Sequence, residues 1–309
     1  MTAMKERCSW RSILTTCAAG AMAALVAGCG DDDKKDSASS TPAKPVSFVI
    51  TATAEGTTQK ALEFPSTIKA GLVTMKLTNG DTVPRSAQIL RVVGDHTVDD
   101  VLKVVNADAT KIPDWMQDGG GIGAVKPNAT GTATQVLAPG RYVIWDDQGG
   151  DEGDAPGNDE LGAKGEFTVT GPAADAELPA QTGRVTAVDE ETGGKETYAF
   201  EFEGLKAGIN QVRFENSGDE LHHALFFPLA KGKTIDDAKK AFASEQEPQG
   251  PPPVDFANGV GTSVIDGGIA QNISLSLKAG KYAVICFIPD RKGGKPHVAK
   301  GMIAELEVE

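Results

Sequence analysis

Seven runs along the chain alternate, fully or in part, between apolar and polar residues: 46–54, 72–77, 132–136, 198–202, 210–214, 273–277 and 302–308. That period of two is the signature of half-buried β-strands, and turn residues separate the runs. Two short stretches break the period. Thr97 with Asp100 precedes 101–105, and Thr234 with Asp237 precedes 238–243. A Thr followed three residues later by an acid can satisfy two free amides at a helix start, so each stretch predicts a short helix. Evenly spaced strands with one helix per half predict an all-β fold built from β-sandwiches.

The two halves also align with each other. A shift of 137 residues places Ile68-Lys69-Ala70-Gly71 on Leu205-Lys206-Ala207-Gly208, Asn79 on Asn216, and Thr97-Val98-Asp99-Asp100 on Thr234-Ile235-Asp236-Asp237. A shift of 140 places Ala138-Pro139-Gly140-Arg141-Tyr142 on Lys278-Ala279-Gly280-Lys281-Tyr282, and a shift of 136 places Ala163-Lys164-Gly165 on Ala299-Lys300-Gly301. Matches in the same order with small changes of shift indicate a tandem repeat. The expected organisation is a first domain at 46–170, a Pro/Ala-rich linker at 171–182 and a second domain at 183–309.

Residues 1–28 read as a targeting segment, with Lys5, Arg7 and Arg11 before an apolar, Ala/Gly-rich run. It ends in Val26-Ala27-Gly28-Cys29, which resembles a bacterial lipoprotein signal. The resemblance implies cleavage before Cys29, lipidation of Cys29, and a chain held by that lipid to the bacterial cell envelope with its domains outside. Residues 29–45 are charged and rich in Ser, Thr, Ala and Pro, and read as a disordered tether. A net charge of −13 argues against nucleic acid as a partner.

Of four cysteines, Cys8, Cys17 and Cys29 belong to the export segment or its end, which leaves Cys286 alone in the folded part. An exported chain with one such thiol has no internal disulfide to make with it. Downstream lie His297, Gly301 and Met302. Thiolate, imidazole and thioether are ligands that soft copper prefers. On a strand Tyr282, Val284 and Cys286 share one face, so the thiol ends an inward row at the rim of a sandwich.

The second repeat resembles the plastocyanin- and azurin-like cupredoxin family. Gly280, Tyr282 and Cys286 match its Gly-x-Tyr-x-x-x-Cys strand. His297, Gly301 and Met302 match its His-x4-Met segment, and Asn216 through His223 looks like the segment that carries its first histidine. The resemblance implies two tandem Greek-key sandwiches and one type 1 copper held by His222, Cys286, His297 and Met302. Two imidazoles and a thiolate would form the trigonal plane, with a weak axial thioether. His222 and His223 both compete for the first position, and the alignment of Pro84-Arg85 with Leu221-His222 favours His222. Asn216 is expected to brace the loop. Ten residues separate Cys286 from His297, where small blue proteins have two to four, which implies a more open site.

The ligands carried back to the first repeat fall on Arg85, Asp146, Leu161 and Glu166, so that copy is expected to hold no metal. Its acidic stretch from Gly149 to Glu160 does not match a calcium loop and reads as solvated. His96 reads as an exposed loop residue, and the run from Gly119 to Gly123 as turn chemistry in a loop. Four histidines are too few for the copper clusters of multicopper oxidases or copper nitrite reductases, and no hydrolase or phosphate-binding motif is present. The chain is expected to be no enzyme. Electron transfer is the expected work, with copper capture or delivery next, through a redox or copper-donor protein. A metal-free surface lipoprotein that serves as a binding or structural module is the competing expectation.

Overall fold

The computed structural model describes residues 44–107, 111–149, 156–173, 175–193, 195–243 and 250–309. The signal segment and Cys29 lie outside the described residues. The first repeat contributes β1 (Val46–Glu55), β2 (Gln59–Glu63), β3 (Thr67–Lys69), β4 (Gly71–Asn79), β5 (Arg85–Val92), β6 (Met116–Val125), β7 (Thr130–Leu137), β8 (Gly140–Trp145), β9 (Lys164–Thr170) and the helix α1 (Val98–Val105). The second contributes β10 (Gly183–Thr192), β11 (Lys195–Glu203), β12 (Gly208–Asn216), β13 (Leu225–Pro228), β14 (Val260–Gly261), β15 (Ala270–Leu277), β16 (Gly280–Ile285), β17 (Ile303–Val308) and α2 (Ile235–Ala243). Among the described residues no helix is long and apolar enough to cross a membrane.

The strands form three sheets. One runs β11-β10-β12-β15-β7-β4-β1-β2 through both repeats. A second, β3-β9-β8-β5-β6, covers the half of it from the first repeat, and a third, β14-β13-β16-β17, belongs to the second. In each repeat the first strand runs parallel to a later strand of the same sheet, β1 to β4 and β10 to β12. The repeats are joined edge to edge where β15 pairs with β7, Gln271 opposite Gln135. Alternating burial follows the sequence pattern: Phe48, Ile50 and Ala52 of β1 and Val212 and Phe214 of β12 are fully buried and share one core. The burial of these side chains is the main favourable term holding the layers together.

Both helices start where the Thr/Asp pairs predict. At α1 the Thr97 side chain accepts from the Asp100 amide and the Asp100 carboxylate accepts from the Thr97 amide. At α2 Asp237 accepts from the Thr234 amide at 2.9 Å and Thr234 accepts from the Asp237 amide at 3.2 Å. Each helix covers the outer face of its smaller sheet. Val101 and Leu102 pack with Leu90, Val143 and Trp145, while Ala238 packs with Ala283, Ile285 and Val298.

The glycine run departs from expectation. Residues 119–123 lie in β6, not in a loop. The reason is close approach of the two repeats. A Cβ at Gly119 would sit 2.8 Å from the Val264 carbonyl oxygen and one at Gly123 2.4 Å from that of Gly261. Through this seam Gln88 donates to the Val264 carbonyl at 2.9 Å and accepts from the Val264 amide at 2.8 Å. The acidic stretch is also not wholly solvated: Asn158 and Asp159 are buried, and Asp159 accepts from Asn106 at 3.1 Å. Residues 150–155 of it lie outside the described residues. His96 is half-buried and stacks on Trp115 with ring centroids 4.0 Å apart.

Candidate metal centre

Three backbone elements converge at one end of the second sandwich. Cys286 follows β16 directly, and its amide donates to the Met302 carbonyl at 3.3 Å. His222 stands between β12 and β13 and exchanges both backbone hydrogen bonds with Ile265, at 3.0 and 2.9 Å. His297 opens a short 3-10 turn, His297–Lys300, with its amide on the Ile288 carbonyl at 2.9 Å. Gly301 ends that turn with φ of 105°, a left-handed conformation that favours glycine. The turn then returns through the Met302 amide to the His297 carbonyl at 2.8 Å, so Met302 ties the cysteine strand to the histidine turn. Asn216 braces the approach to His222, donating to the Glu220 carbonyl at 2.7 Å and that of Ile265 at 3.3 Å.

The side chains of His222, Cys286 and His297 meet. Cys286 Sγ lies 3.6 Å from Nδ1 of each histidine, and the two Nδ1 atoms lie 3.1 Å apart. The centre of that triangle is about 2 Å from all three atoms, the bond length imidazole nitrogen makes to a first-row divalent ion such as zinc. All three residues, with Met302, are fully buried.

The outer ring nitrogens fix the tautomers. His222 Nε2 lies 2.9 Å from Asp189 Oδ1, and His297 Nε2 lies 3.0 Å from Asp290 Oδ1. Each carboxylate accepts a hydrogen bond from an Nε2–H, which leaves both Nδ1 lone pairs directed at the thiol. Burial alone would raise the Asp189 carboxyl. Hydrogen bonds from His222 and the Asp219 amide outweigh it and hold the group below its usual range. At Asp290 burial is likewise outweighed, by Lys300, Tyr198 and His297. Burial, reinforced by the neighbouring His222, drives His297 down to about 4, against the pull of Asp290. Burial pushes the Cys286 thiol up to about 12, although the His223 and Ile288 amides favour its thiolate.

Two residues found only in the structure complete the enclosure. Tyr198 stacks on His297 with centroids 4.6 Å apart and an interplanar angle of 21°. Lys300 bonds to Asp290, and lies 3.1 Å from Glu196 and 3.3 Å from the Tyr198 hydroxyl. His223 faces away from the triangle: its Nε2 accepts from the Phe287 amide at 2.9 Å. Burial and the adjacent His222 push it down to about 3. The loop of ten residues does not open the centre. It is pinned by the Pro289–Pro296 bridge, and it delivers Asp290.

The first repeat fills the corresponding place with charge. Arg85 Nε bonds to Asp146 with both side chains fully buried. Asp146 also accepts from the Ser86 amide and hydroxyl, each at 2.9 Å, and from Asn158 at 3.2 Å. The backbone pattern corrects the two other counterparts. Asn158 donates to the Gln148 carbonyl as His297 does to that of Ile288, and Ala163 donates to the Asn158 carbonyl as Met302 does to that of His297. Asn158 and Ala163, not Leu161 and Glu166, therefore stand where the second repeat has His297 and Met302.

No family model and no curated protein matches the chain. Among solved structures it is similar to reduced auracyanin from Roseiflexus castenholzii, at 18% identity over 42% of this chain and 99% of that one, TM-score 0.28. It is similar to auracyanin A, a "blue" copper protein from Chloroflexus aurantiacus, at 21% identity over 41% and 100%, TM-score 0.29. A blue copper oxidase from Nitrosomonas europaea aligns at 13% identity over 86% of each chain, TM-score 0.23. These likenesses are remote. The fold is all-β. The two imidazoles and the thiol suit one copper ion.

Proposed function

We propose that this chain is a lipid-anchored, single-copper electron carrier whose metal is held by His222, Cys286, His297 and Met302. The observation that carries the reading is the pair of imidazole nitrogens facing each other at 3.1 Å across a thiol. With both Nε2 protons committed to carboxylates, two lone pairs confront one another. The weak S–H donor of Cys286 can meet one of them at a time, a cation between them would satisfy both, and burial disfavours a proton on His297. A bound copper would supply one-electron redox chemistry at this point.

The residues around the centre suit retention of a metal better than its hand-over. Every donor is buried, and Tyr198, Lys300 and Asp290 close the His297 side. This enclosure excludes water and holds the donors in one arrangement, which favours electron transfer over copper delivery. The histidine count supports a carrier and not a multicopper enzyme. The first 28 residues and Cys29 support export and a lipid anchor at the cell envelope, with a redox protein as partner.

Adding Cu(II) to the purified protein tests the reading. We expect one equivalent to bind, with an intense visible thiolate-to-copper band that Cys286→Ser abolishes. Binding of Cu(I) alone, released readily to a chelator, would favour copper handling. Absence of binding in either oxidation state would leave a metal-free surface module. For the first ligand, His222→Ala should lose the band and His223→Ala should keep it. Equal tolerance of both changes would overturn the choice of His222. Cys29→Ser should release the protein from the membrane fraction.

A further inference from the structure

The loop between Cys286 and His297 is held from outside its own sandwich. Its middle residue, Arg291, has a side chain mostly removed from solvent. The guanidinium donates to Asp266 at 2.6 Å and, through both terminal nitrogens, to the Met116 carbonyl at 3.2 Å. Met116 begins β6 of the first sandwich. The Arg291 carbonyl accepts from the Ile112 amide, also of the first repeat, at 2.8 Å. Its own amide donates to Glu220 at 2.6 Å, two residues before His222. Asp266 in turn accepts from the Asp118 amide at 3.2 Å and follows Ile265, the backbone partner of His222.

We propose that the first sandwich is a clamp on the metal-binding loop, and that Arg291 is the positioning residue through which it acts. One side chain thereby links the first sandwich to the loop that carries Asp290, and its amide links that loop to the segment that carries His222. A ten-residue loop costs little more to close than a short one, but it samples more conformations unless something fixes its middle. A planar guanidinium with several donors fits this task, because it engages a carboxylate and a carbonyl at once. The clamp gives the first sandwich a role although its own ion pair stands where the second repeat has metal donors.

The first arm of the test needs no metal. Amide hydrogen exchange in residues 287–296 of the full metal-free chain should be at least about tenfold faster in Arg291→Ala than in the parent, with exchange in β4 and β7 unchanged. Arg291→Lys, which keeps the charge but loses the fork, should fall between them. In the second arm, which rests on the copper reading, Arg291→Ala should keep a thiolate-to-copper band but release copper to a chelator about tenfold faster, with an altered electron paramagnetic resonance spectrum. Exchange and copper release within about twofold of the parent would overturn the clamp. If the parent binds no copper, the electron-carrier reading fails and the exchange arm still decides this one.

Discussion

Asp189 and Asp290 do the same work on different histidines, yet they are built differently. Asp189 sits on β10 at the position that continues the inward row of Val185 and Ala187, a charge on an otherwise apolar face. Asp290 is shared among His297, Lys300 and Tyr198. Removing either should weaken copper binding by about 10–100-fold, as loss of a ligand's outer partner does elsewhere. Competition with a chromophoric chelator would measure it for Asp189→Ala and Asp290→Ala. Asp290→Ala should also lose the orientation of Lys300, and so should change accessibility more than Asp189→Ala. Protonation adds a further expectation. The thiol, pushed up to about 12, is protonated at neutral pH, while His297 and His223, pushed down to about 4 and 3, are neutral. Copper binding should therefore release about one proton, and affinity should rise with pH across the neutral range. In the metal-free chain both histidines have folded values below the ordinary 6.5. Their contribution to stability is full above that value and is lost as pH falls through about 4 for His297 and about 3 for His223, because the unfolded chain takes up protons first. Urea unfolding between pH 7 and pH 3 would measure this slope. No loss attributable to His297→Gln or His223→Gln in that window would contradict it.

At the scale of elements the strands and helix starts were legible because each rests on local chemistry. Period-two burial set β1, β4, β12 and β15, and a reciprocal Thr/Asp pair set each helix. The meeting of His222, Cys286 and His297 was legible because it sits at a strand end and a turn with recognisable residues. Three features were not. Asp189 meets His222 only through the parallel pairing of β10 with β12, Ala187 opposite Asn216, a contact no local pattern reveals. The counterparts of His297 and Met302 in the first repeat were misplaced by three residues, because a short Ala-Lys-Gly identity sets a shift of 136 where the backbone bonding gives 139. The glycines of β6 looked like a turn because close approach of another chain segment leaves no local mark. Gly121 of that run packs against β5 of its own repeat, and it makes a prediction. Gly121 has φ of 114°, and a Cβ there would lie 2.1 Å from the Ala87 carbonyl oxygen. Gly121→Ala should therefore cost about 2–4 kcal/mol, from backbone strain and overpacking together. Thr97→Ala, which removes one exposed helix cap, should cost only about 1 kcal/mol. Chemical denaturation of the two variants would rank them, and a reversed order would mean that the β5–β6 pair yields easily.

Across the whole molecule, two copies of one sandwich close the same end by different means, and one sheet joins them. In the first copy, Arg85 and Asp146 bond with neither side chain exposed, and Arg85 also reaches Asp81 at 2.9 Å. Such a pair is weak evidence of net stability, but breaking it strands a buried carboxylate at a cost of about 3–5 kcal/mol. In the second copy His222, Cys286 and His297 meet there. A metal present at a thousand times its dissociation constant would add about 4 kcal/mol. Because β7 pairs with β15 and one buried cluster spans both copies, the two should unfold together. Arg85→Met should therefore lower a single thermal midpoint by roughly 10 °C. It should do so by the same amount with and without copper, since a salt bridge and a metal site in separate sandwiches are expected to add independently. Cys286→Ser should remove the copper-dependent rise and leave the effect of Arg85→Met intact. Calorimetry of the parent and the two variants, each with and without copper, reads all of this at once. Two resolved transitions, one moved only by copper and the other only by Arg85→Met, would mean that the continuous sheet does not couple the copies.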